Sequence, residues 1–115
     1  MKRIKYTPDA ADRLRSIKKE VGKQYGTEKD KEVVKRIMTS IDDLVQNERK
    51  GPSVEEMFDI DSDYRYLVIS PNYVFYKIED TYIKIINIYH EKEDFMWHLF
   101  GIDTTPQESI DYWKE

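Results

Sequence analysis

Apolar positions along the chain change their period twice. Ile4 and Tyr6 alternate with Arg3 and Lys5, the two-residue period of a short strand with one face exposed. From Thr7-Pro8-Asp9 onward the spacing becomes helical. Ala11, Leu14, Ile17, Val21 and Tyr25 recur at steps of three and four, while Arg13, Arg15, Lys19 and Lys23 cover the other side. Thr7 suits the N-cap, Pro8 the first helical position, where its missing N–H costs nothing, and Asp9 the positive end of the helix dipole. Gly26 stops this helix, and Thr27 with Asp30 restarts a second one in capping-box spacing, with Asp in place of Glu. Its stripe is Val33, Val34, Ile37, Met38, Ile41, Leu44 and Val45, and Gly51-Pro52 ends it. Two amphipathic helices joined so tightly run antiparallel and bury their stripes together against a further layer.

The second half supplies that layer. Met57 to Ile60, Tyr64 to Ser70, Tyr73 to Glu79 and Tyr82 to Tyr89 are rich in β-branched and aromatic residues. Asp61-Ser62-Asp63, Pro71-Asn72 and Asp80-Thr81 separate them. Connections of this length cannot hold a crossover helix, so neighbouring strands pair as an antiparallel meander. Ile83 and Ile85 fall on one face of the last strand, and Ile86 and Ile88 on the other, which makes that strand central or covered on both sides. Helical signals return at the end. Asp94 precedes a one-turn stripe of Phe95, Met96, Leu99 and Phe100 that Gly101 closes, and Thr105-Pro106-Gln107-Glu108 repeats the cap and proline signature before Ile110, Tyr112 and Trp113. The reading is an α+β fold of two layers, β-α-α-β-β-β, with a helical hairpin on an antiparallel sheet and short helical segments after it. One domain over residues 1–115 is expected, with 102–115 as a C-terminal extension.

Composition narrows the chemistry. The 115 residues include no cysteine, which excludes a disulfide scaffold, a thiolate metal site and a cysteine nucleophile. No apolar run exceeds four residues, so neither a signal peptide nor a membrane span is expected, and a cytoplasmic location fits. The net charge of -4 is uneven: residues 1–50 carry 14 basic and 9 acidic side chains, and residues 51–115 carry 5 and 14. An anion would find its charge partners in the first half.

Several segments, in this order, resemble the RelE/ParE superfamily of type II toxin–antitoxin toxins. They are Ile4-Lys5-Tyr6-Thr7-Pro8-Asp9-Ala10-Ala11, Tyr64-Arg65-Tyr66-Leu67-Val68, Tyr73-Val74-Phe75-Tyr76-Lys77-Ile78-Glu79 and Ile83-Lys84-Ile85-Ile86-Asn87-Ile88-Tyr89-His90, with Asp94 and Phe95 beyond. The resemblance covers about residues 2 to 101 and implies a growth-inhibiting, plasmid-stabilising toxin neutralised by a cognate antitoxin in a hetero-oligomer. It implies one of two targets: messenger RNA cut at the ribosome, or DNA gyrase. It also implies that Arg65, in the second strand of the meander, lies near the active surface and in RNA-cutting members contacts the scissile phosphate. A guanidinium suits that role because it keeps its charge and holds two phosphate oxygens at once. The other reading of Arg65 is structural, paired with Asp61, Asp63 or Glu79.

Metal-free RNA cleavage needs a base for the ribose hydroxyl, an acid for the leaving oxygen and cations for the transition state. The candidates are His90, Tyr89, and Arg65 with Lys84 or Lys92. Strand parity places Lys84 and His90 together with Ile86 and Ile88, and Tyr89 on the other face. His90 also reads as a strand-end histidine bonded to backbone, and His98 as a partly packed one. Two histidines eight apart with no second anchor make no metal site, and no phosphate loop, nucleotide fingerprint or serine triad appears, so no cofactor is expected. The acidic second half, and Glu93-Asp94 where many relatives carry an Arg-Asp pair, oppose a nuclease and favour a protein-binding toxin of the ParE type or a member with an altered target. A non-toxic interaction module of the same fold is the alternative.

Overall fold

The computed structural model describes residues 2–23, 28–93 and 95–101. Gly26, Thr27, Asp94 and the expected terminal helix from Thr105 lie outside them. The described elements are β1 (Arg3–Tyr6), α1 (Pro8–Lys23), α2 (Glu28–Asp43), α3 (Val54–Phe58), β2 (Tyr64–Ile69), β3 (Asn72–Ile78), β4 (Tyr82–His90) and α4 (Phe95–Phe100).

The N-terminus of α1 is built as its sequence dictates: the Thr7 hydroxyl accepts the Ala10 N–H at 3.0 Å and donates to the Ile86 carbonyl at 2.7 Å, which fixes the helix start to β4. Among its described side chains Ala10 and Leu14 are the buried ones, and Ala11 stands a step off the core. α2 buries Ile37 and Ile41 completely, as does the turn after it with Leu44, each side chain contributing about 1.5–3 kcal/mol. It ends at Asp43, well before Gly51-Pro52. Turn bonds from Leu44 and Val45 tighten its last turn, and the Lys50 ammonium reaches the Ser40 carbonyl at 3.2 Å and the Asp43 carboxylate at 3.0 Å.

The sheet runs in the order β1-β4-β3-β2. β2, β3 and β4 form the expected antiparallel meander, and β1 pairs parallel to β4, which makes the sheet mixed and β4 central. Residues 57–60 are not a strand. Ser53, whose hydroxyl accepts the Glu56 N–H, caps α3 over Val54–Phe58, and Asp59 closes it in the left-handed region at φ 55°.

A register shift between Phe75 and Tyr76 leaves Ile86 opposite no partner on β3. Strand parity therefore changes inside β4. Ile83, Ile85 and Ile88 all face the helical hairpin, with Leu67, Ile69, Val74 and Tyr76. Ile86 and Tyr89 face the other side, in an aromatic cluster with Tyr66 and Phe75 that α3 and α4 cover through Phe58, Phe95, Leu99 and Phe100. Gly101, at φ 68°, ends α4 as a left-handed glycine should.

Candidate functional site

Arg65 lies on β2 opposite Tyr76 and, with Leu67 and Ile69, points toward the hairpin side of the sheet. Its Nε donates to the Gly51 carbonyl at 2.8 Å, and Nη2 lies 3.4 Å from the Arg49 carbonyl. None of the acids expected as its partners meets it, and two of them turn to Lys77, which lies 3.2 Å from Glu79 and 4.0 Å from Asp63. The buried Tyr76 hydroxyl completes the anchor, accepting the Gly51 N–H at 3.0 Å and donating to the Glu48 carbonyl at 2.7 Å. Burial raises the Tyr76 pKa, against the lowering effects of the Gly51 hydrogen bond and the nearby Arg65. Gly51 is required here, since a Cβ would stand 2.2 Å from the Tyr66 carbonyl oxygen. Arg65 and Tyr76 thus clamp the loop between α2 and α3. Sequence reasoning missed Tyr76, for which Gly51 was the available signal. Beside the clamp lies an open polar groove of about 480 Å³ lined by Lys2, Arg49, Arg65 and Lys77 together with Glu48, Asp63, Glu79 and Asp80.

The end of β4 holds a second cluster. The His90 backbone N–H donates to Glu93 Oε1 at 3.0 Å, and its Nδ1 accepts the Lys92 N–H at 3.1 Å. Arg13 of α1 grips both Glu93 oxygens. Burial alone would raise the Glu93 pKa, but the His90 N–H and the Arg13 guanidinium outweigh it and hold the carboxyl below its usual value. Tyr89 is buried, its hydroxyl accepting Asn87 Nδ2 at 3.1 Å, and His98 stacks on its ring at 5.8 Å between centroids. Burial raises the Tyr89 pKa, so its hydroxyl stays protonated.

Lys84 sits elsewhere again, in register with Lys5 of β1 and Lys77 of β3, on the face away from the hairpin. The bulge at Ile86 separates it from His90: expected on one face, the two lie on opposite faces. Arg65 and His90 share the hairpin side, but they lie four rungs and two strands apart, roughly 16 Å between Cα atoms. The four residues converge on no common point. Among the described residues no three His, Asp or Glu side chains gather to hold a metal, and no helix is long and apolar enough to cross a membrane.

Comparison with known proteins places this geometry. A family model described as "ParE toxin of type II toxin-antitoxin system, parDE" matches residues 4–95. Among solved structures, the chromosomal ParDE toxin–antitoxin system from P. aeruginosa superposes with a TM-score of 0.61 at 23% identity, over 78% of this chain and 96% of that one. The E. coli DinJ–YafQ complex does so with a TM-score of 0.51 at 21% identity, over 88% and 100%. Both likenesses concern the fold. No curated protein matches the sequence.

Proposed function

Because the chain belongs to the ParE toxin family of type II toxin–antitoxin systems, we propose that it is a cytoplasmic toxin held inactive by a cognate antitoxin, and that it acts by binding DNA gyrase rather than by cutting messenger RNA. The observation that carries this reading is the dispersal of the residues a nuclease would need. The Arg65 guanidinium spends its Nε on a loop carbonyl, the Tyr89 hydroxyl is buried, His90 Nδ1 is occupied by a backbone N–H, and Lys84 stands on the opposite face from Arg65 and His90. General acid–base cleavage needs donor and acceptor within hydrogen-bond reach of one phosphate. A protein-binding toxin needs only a surface.

The hairpin offers such a surface. Arg15, Lys18 and Lys19 on α1 and Lys31, Lys35 and Arg36 on α2 are exposed, together with the acids Asp9, Asp12, Glu32, Asp42 and Asp43, and Arg15 pairs with Asp12, so the hairpin presents charge of both signs. A protein partner of complementary charge pattern can register on such a surface.

Induced expression in a bacterium tests the reading. The chain alone should arrest growth, co-expression of the gene beside it should restore growth, and His90→Ala should arrest growth as strongly as the natural chain. Loss of arrest in His90→Ala at equal protein level would support the nuclease instead. A chain harmless at high level would leave a non-toxic interaction module.

A further inference from the structure

Three lysines occupy one rung of the sheet. Lys5, Lys84 and Lys77 are consecutive register partners on β1, β4 and β3. All three alternate with residues packed under the hairpin (Ile4 and Tyr6, Ile83 and Ile85, Tyr76 and Ile78), so all three project from the opposite face. Like charges directly opposite one another destabilise a sheet.

The outer two members of the row have partial relief. Lys5 Nζ lies 4.5 Å from the centre of the Tyr82 ring, and Lys77 pairs with Glu79. Lys84 has none. It is half-buried on the central strand, flanked by two ammonium groups, and among the described residues no carboxylate or hydrogen-bond acceptor meets it. Among the described residues, a cation in that position has no counter-charge.

We infer that the Lys5–Lys84–Lys77 row binds the acidic face of a helical segment of a partner protein. The spacing selects the partner. Neighbouring strands stand about 4.8 Å apart, so the row presents its charges at that interval across the strands. Acidic residues three and four apart on a helix have Cβ atoms about 5–6 Å apart along one face, and their flexible side chains can match that interval. A helix laid across the strands therefore sets one carboxylate near each lysine. A nucleic-acid backbone fits less well. Its charge extends beyond the row, where it meets Glu79, Asp80 and Asp63 on a chain of net charge -4. The inference is independent of whether gyrase is the target.

The probes are an alanine-rich helical peptide with glutamates three and four residues apart on one face, the same peptide with glutamines, and a single-stranded oligouridine, each titrated into the full chain at low salt. The glutamate peptide should bind saturably and the glutamine peptide should not. Lys84→Gln should weaken the binding by about fivefold or more, and Lys50→Gln, an exposed lysine in the loop after α2, should leave it unchanged. In the absence of peptide, Lys84→Gln should melt at a higher temperature than the natural chain, because the like-charge row is relieved. Equal affinity for the two peptides, equal loss in Lys50→Gln and Lys84→Gln, tighter Lys84-dependent binding of oligouridine, or a lowered melting temperature in Lys84→Gln would each overturn the inference.

Discussion

Arg13 on α1 holds Glu93, just past the end of β4, through both guanidinium nitrogens at 2.8 Å each. The pair joins two layers that otherwise pack separately. The side chains of α1 and α2 belong to the cluster under the hairpin, and those of α3 and α4 belong to the aromatic cluster on the other face. Arg13 also lies 5.9 Å over the Tyr89 ring, at the edge between the two. Being bidentate but partly exposed, the pair contributes on the order of 1 kcal/mol. Arg13→Ala should therefore loosen α4, whose six residues cannot form a helix unaided, before it loosens the sheet. Amide hydrogen exchange should rise at Met96 to Phe100 and stay level in β3. A uniform rise in every element would contradict this.

The same carboxylate sets a pH dependence. Glu93 has a folded-state pKa below its unfolded value, so its contribution to stability is fully present above the ordinary glutamate pKa and is lost as pH falls through the folded one. Melting temperatures of the natural chain should fall across that acidic window more steeply than those of Glu93→Gln. Parallel curves would mean that the pair adds nothing to folding.

Tyr76→Phe removes one hydroxyl and orphans two backbone groups, the Gly51 N–H and the Glu48 carbonyl. Chemical denaturation should show a loss of about 1–3 kcal/mol. Gly51→Ala should cost more, about 3 kcal/mol or above, because the atom it would crowd is the Tyr66 backbone oxygen, which cannot rotate away. A neutral Tyr76→Phe would show that water replaces the hydroxyl.

How far the chain could be read in advance follows from which signals are local. The cap at Thr7, the closing Gly101 and the three strands of the meander were legible because each rests on neighbouring residues: an N-cap before Pro8, a left-handed glycine, hairpins with short connections. α3 was misread as strand because Met57, Phe58 and Ile60 carry β propensity, although Ser53 and Glu56 stand in capping-box spacing. The parallel β1–β4 pairing joins residues nearly eighty positions apart and leaves no local trace. The bulge at Ile86 is equally silent, and with it went the expectation that Lys84 and His90 share a face. Arg65 was singled out by the family resemblance, with its fixed charge as the chemical reason, whereas its geometry comes from Gly51 and Tyr76, one on a loop and one on the next strand.

Gyrase supercoiling and ribosome-dependent cleavage of a messenger RNA, assayed side by side with the purified chain, test the proposed action most directly. A gyrase-binding toxin predicts that supercoiling falls with increasing toxin, recovers when the antitoxin is added, and that the messenger RNA stays intact. Cleaved messenger RNA with supercoiling unaffected at large excess of toxin would contradict it.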